Sequence, residues 1–174
     1  HIRSAFDKAL EGIQANMLKM GGLVEANIIS AAKALEERDV ELAEKVRERD
    51  RQIDNLEELI NDGISRFIAQ ESPVATDLRV LLSILKVSNN LERIGDHAKN
   101  TAKRTHVLLH LKDIENSQAA LRRLSKDVQL MLKDALDAYI NRDADLALDV
   151  IARDTEVDEL YSGLFREFLT YMME

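Results

Sequence analysis

The residues in this sequence with the types and spacing for chemistry are carboxylates set four apart. Asp50 and Asp54, Glu92 and Asp96, and Asp154 and Asp158 each form such a pair, and Asn100 extends the middle one by another turn. On a helix, side chains at that spacing share a face with Cβ atoms roughly 5 to 6 Å apart. Two exposed carboxylates so placed repel by about a few tenths of a kcal/mol, and uncompensated burial raises the cost to roughly several kcal/mol. A bound cation reverses the sign. Asp50 lies four after Val46 and three before Ile53, and Asp154 lies four after Val150 and three before Val157, so both interrupt an apolar seam at the same beat. Oxygen-only donors suit Mg, Mn, Ca or iron. With no cysteine in the chain, disulfides, thiolate zinc, iron–sulfur clusters and a cysteine nucleophile are excluded together.

Ordinary ion pairing is the competing explanation, because Arg47, Arg49, Arg51 and Arg93 lie near these acids in sequence. For Asp50 and Asp54 alone it suffices; recurrence of the pair at an equivalent seam position favours a cation. Lys99, Lys103 and Arg104 sit near a helix C-terminus, where the macrodipole accounts for them. His97 points about 100° away from Asp96 on an ideal helix. His1, His106 and His110 read as terminal or surface residues. Catalysis is not expected: no Glu-x-x-His pair of the di-iron type, no phosphate-binding glycine loop and no G-x-S-x-G elbow occurs. A metal-dependent hydrolase and a metal-storage helical bundle stand as the alternatives to a regulatory protein.

Long helices must carry these acids. Six glycines and one proline in 174 residues leave little punctuation for strands, and Ala, Leu, Glu, Lys and Arg abound. The predicted class is all-α. Phe6, Leu10, Ile13, Met17, Met20, Val24, Ala31 and Leu35 trace one helix from about Ser4 to Glu37, missing a beat near Asn27. Asp39 caps a second through Ala43, Val46, Ile53, Leu56, Ile60 and Phe67. Ser72-Pro73 reads as the N-cap and first turn of a third through Val74, Leu78, Leu81, Leu85, Ser88, Leu91, Ala98 and Ala102. Gly95 would allow a close neighbour there. Leu121, Leu124, Val128, Met131, Ala135 and Ala138 mark a fourth, and Asp143 caps a fifth through Val150, Val157, Leu160, Leu164, Phe168 and Tyr171.

Helices one and two recur as four and five at an offset of 104 residues: Asp50 falls on Asp154, Asp54 on Asp158, and Ala31, Arg38, Asp39, Ala43, Val46 and Arg49 on identical residues. The expected organisation is a three-helix bundle over residues 1–105, a connection over 106–117, and an incomplete second bundle over 118–174 that lacks its third helix in this sequence. Two helices cannot cover the lines through Leu124, Val128 and Met131 and through Val150, Val157, Leu164 and Phe168, so a homodimer or higher homo-oligomer is expected. A formal charge of −8 argues against nucleic acid or anionic lipid as partner. No apolar run approaches the roughly 20 residues of a membrane span, so no direct membrane insertion is expected. The start does not resemble a signal peptide, and a cytoplasmic protein is expected.

The stretches HIRSAFD, MGGLVE from Met20, RDRQID from Arg49, PVATDLR from Pro73, NLERIGDHAKNTAKR from Asn90, RDTEVD from Arg153 and LFREFLTYMME at the end resemble the PhoU family of phosphate-uptake regulators over nearly the whole chain. The resemblance implies two tandem three-helix bundles, with the family's acidic signature at Glu92 and Asp96 and its partners at Asp50, Asp54, Asp154 and Asp158 associated with metal ions. It further implies a negative regulator of the phosphate-starvation response. Such a protein would link the ATPase subunit of a phosphate ABC transporter to a membrane sensor histidine kinase, peripheral to the inner membrane through these partners.

Overall fold

The computed structural model describes residues 2–108, 115–141 and 159, and all the extended elements among them are helices. They are α1 (Ile2–Glu37), α2 (Val40–Glu71), α3 (Ala75–Leu108) and α4 (Glu115–Asn141). The expected connection over 106–117 is therefore shortened from both sides, since α3 runs past its start and α4 begins before its end. The fifth helix predicted from Asp143, with Asp154 and Asp158, lies outside the described residues.

The first reversal occurs where the sequence predicts it. Arg38 takes φ 55°, and the amide of Asp39 donates to the carbonyl of Ala34 at 2.8 Å, a Schellman closure of α1. Asp39 then caps α2, its side chain accepting from the amide of Leu42 at 3.1 Å. The second reversal differs from expectation. Ser72 adopts the left-handed conformation at the C-cap of α2, Pro73 follows outside any helix, and α3 begins at Ala75. Proline just past a C-cap cannot continue the helix, so the pair ends α2 instead of opening α3. Val74 and Leu78 consequently fall outside the core at 67% and 38% exposure, and the buried line of α3 starts at Leu81 and Ile84.

Met17, Met20, Val24 and Ile28 of α1, Val46, Ile53, Ile60 and Ile64 of α2, and Leu81, Ile84, Leu91 and Ala98 of α3 meet in one core. Phe6 and Phe67 close one end edge to face, with ring centroids 4.4 Å apart. Asn27, the missing beat of α1, is completely buried and satisfied. Its Nδ2 donates to the carbonyl of Val46 at 3.0 Å, while Arg49 Nη1 donates to Asn27 Oδ1 at 3.4 Å and Ser30 Oγ at 3.2 Å.

α4 runs antiparallel along α1. Arg122 pairs with Glu36, Leu136 lies against Gly21, and Gln14 Nε2 donates to the hydroxyl of Tyr139 at 2.8 Å. A Cβ on Gly21 would stand 3.1 Å from a Leu136 methyl, so the missing side chain gives α4 its seat. Val128 and Met131 join the same core as the first three helices at 1% and 2% exposure. The open stripe expected on the fourth helix is thus covered at these two positions within the chain.

Candidate metal centre

α2 and α3 pack antiparallel with their acidic faces on the same side of the seam. Asp50, Asp54 and Glu57 recur at intervals of four and three on α2, and Glu92, Asp96 and Lys99 do the same on α3. Gly95 marks the close approach: a Cβ there would meet Ile53 at 3.6 Å and Asp50 Oδ1 at 3.7 Å. These are ordinary contacts, made by side chains of α2 and not by its backbone.

Asp54, Glu57 and Glu92 each bring a carboxylate oxygen within 4.8 Å of the others. Asp54 is exposed and the other two are half-buried. Glu92, when protonated, donates to Asp96, so both acids of the α3 pair adjoin the group. Burial first, then that hydrogen bond and the charges of Asp96, Glu57 and Asp54, push the Glu92 carboxyl up to about 7. Glu57 is raised by burial and by the charges of Asp54, Asp96 and Glu58. Asp54 is raised by burial and by Asp96, against a downward pull from Lys99. Every neighbouring charge that shifts Glu57 and Glu92 is negative.

Asp50 occupies a different environment one turn away. Its side chain is only 2% exposed, and Oδ2 pairs with Lys99 Nζ at 3.4 Å. Its Oδ1 is buried without a hydrogen-bond partner. Burial and the charge of Asp54 raise its pKa in spite of Lys99. Asn100, which extends the α3 pair by one turn, is exposed.

Two contributors escaped the sequence reading although the signal was present. Glu57 stands seven residues after Asp50, two turns along the same face, and Lys99 stands seven after Glu92. In sequence the helix dipole suffices to account for Lys99; in the fold it faces Asp50. The arginines offered as neutralising partners point elsewhere where their bonds are described: Arg47 pairs with Glu44 at 3.2 Å, and Arg49 crosses to α1. Three converging carboxylates beside a buried orphan oxygen present oxygen donors of the kind that hard cations take.

The sequence profile described as the PhoU domain matches residues 17–105 and again 121–174. The two matches begin 104 residues apart, the offset of the internal repeat. The phosphate-specific transport system accessory protein PhoU homolog of Pseudomonas aeruginosa is 41% identical across all of this chain and 72% of its own length. The Caulobacter vibrioides homolog of the same name is 39% identical over 99% of this chain and 75% of its own. Among solved structures, PhoU from Pseudomonas aeruginosa superposes with a TM-score of 0.83 at 41% identity, covering 97% of this chain and 80% of that one. The phosphate transport system regulatory protein PhoU from Streptococcus pneumoniae gives 0.79 at 30% identity, covering 97% and 79%.

Proposed function

From the premise that this chain belongs to the PhoU family, we propose that it is a negative regulator of the phosphate-starvation response, acting as an adaptor and not as an enzyme. The observation that carries this reading is identity of about two residues in five, sustained over the whole chain, to phosphate-specific transport system accessory proteins. No described helix is long and apolar enough to cross a membrane. In this reading the adaptor reaches membrane machinery through protein partners: the ATPase subunit of a phosphate ABC transporter on one side and a sensor histidine kinase on the other.

The same reading includes a divalent or iron-type cation held by carboxylates. Asp54, Glu57 and Glu92 would supply the first oxygens, with Asp96, Asp50 and Asn100 around them. A cation there cancels the repulsion across the seam and clamps α2 to α3. By the repeat, Asp154 and Asp158 would belong to a second such site.

Deleting the gene and measuring phosphate-regulated transcription tests the regulatory role. Loss of repression in high phosphate is expected, and unchanged repression refutes the proposal. Turnover of phosphate esters by the purified protein would favour the hydrolase instead.

A further inference from the structure

Asp50, a carboxylate of the seam, is engaged by a cation of the chain itself. Its Oδ2 lies 3.4 Å from Lys99 Nζ, its side chain is 2% exposed, and Oδ1 beside Gly95 has no hydrogen-bond partner. A buried acid with one oxygen paired and one orphaned is half satisfied, which is costly in a low-dielectric interior. Lys99 is held less tightly. Its side chain is 33% exposed, and the ammonium ends a flexible four-carbon stem that can turn outward while its methylenes stay packed. Its charge also reaches Asp54, which belongs to the three-carboxylate group.

We propose that Lys99 is a resident competitor for the cation site: it neutralises Asp50 from within the protein, and a divalent ion gains Asp50 as a further ligand only when the ammonium swings out. This inference rests on the reading that the carboxylates hold a cation. An ammonium and a divalent ion on the same cluster repel, and the ammonium occupies lone pairs that the ion would use. Displacement exchanges a single-charge partner for a doubly charged one and gives the orphan Oδ1 a ligand. Lys99 thereby sets the affinity threshold at which the site fills.

Mn2+ binding to the 174-residue protein, followed by calorimetry at pH 7.5, tests this. Lys99→Met and Lys99→Gln should each bind about tenfold more tightly than wild type. Lys99→Arg, which keeps the charge, should stay within about threefold, and Lys103→Met, one turn further along α3 and exposed, within about twofold. Adding Asp50→Asn to Lys99→Met should abolish the gain, because the gain is access to that carboxylate. A gain that survives Asp50→Asn shows only a change in surface potential and overturns the proposal, as does equal or weaker binding by both neutral variants. In either case the site reading stands if Asp54→Ala and Glu92→Ala still weaken Mn2+ binding. Binding by Lys99→Met where wild type shows none supports the competitor; absence of binding by both rejects the competitor and the site together.

Discussion

The α2–α3 seam has two levels that differ in how negative charge is met. At the Asp50 level an aspartate is buried with Lys99 beside it; one turn on, Asp54, Glu57 and Glu92 converge and the neighbouring charges are mostly carboxylates. Both levels use the same spacing on the same helices. The contrast teaches that acids at one spacing on one pair of helices meet different neighbours: a lysine of the chain reaches Asp50, whereas one turn on the acids crowd one another.

The largest expected effect removes the contrast at the outer level. Replacing Glu92 and Asp96 together by Ala should lower Mn2+ or Mg2+ affinity by at least about a hundredfold, roughly 2.7 kcal/mol by the usual conversion, with helicity intact because Ala is the better helix former. Calorimetric titration beside circular dichroism measures both, and undiminished binding would reject the ligand assignment.

Next in size is the inner level. Breaking a fully buried pair costs about 3 to 5 kcal/mol. Lys99 is one-third exposed and Asp50 can take up a proton, so Lys99→Met should destabilise the cation-free protein by only about 1 to 2 kcal/mol. Urea denaturation in the presence of chelator tests this; no loss would mean that the pair does not hold Asp50.

The pH dependence sharpens the outer level. Glu92 has a folded-state pKa near 7, above its ordinary 4.5. Its contribution to stability is fully present below about pH 4.5 and is lost as pH rises through about 7. Asp54 and Glu57, also raised, act in the same direction. Without cations, the stability difference between Glu92→Gln and wild type should therefore widen in favour of the variant across that window, and saturating Mn2+ should reverse it. A flat difference curve would contradict the crowding of carboxylates.

The smallest effect is at the exposed edge. Asp54→Asn should stabilise the cation-free protein by about a few tenths of a kcal/mol through loss of like-charge repulsion, an increment readable as a small rise in thermal midpoint. A fall would indicate that Asp54 has a favourable partner.

Much of this was legible in the sequence, because periodicity reports which face of a helix is apolar. Met17, Met20, Val24, Val46, Ile53, Ile60, Leu81 and Leu91 follow the helical beat and are buried. Asp39 announces its turn as a residue type that caps an N-terminus, whereas the left-handed step falls on Arg38, a type with no preference for it. The repeat was readable as identities at one fixed offset. Asp50 with Asp54, and Glu92 with Asp96, were each legible as acids sharing one helix face, because the spacing of four places them there. Ser72-Pro73 misled because Ser-Pro fits both a helix start and the exit from one, and the left-handed backbone at Ser72 makes it the exit here. The sequence by itself determined that there are long helices, where they turn and which acids share a face, all of which depend on neighbours within a few residues. Tertiary structure alone decided that α4 lies along α1 in the groove at Gly21, that Glu57 completes the carboxylate group, and that Lys99 faces Asp50. Those depend on the register between helices, which is fixed by how side chains distant in sequence interlock across the core.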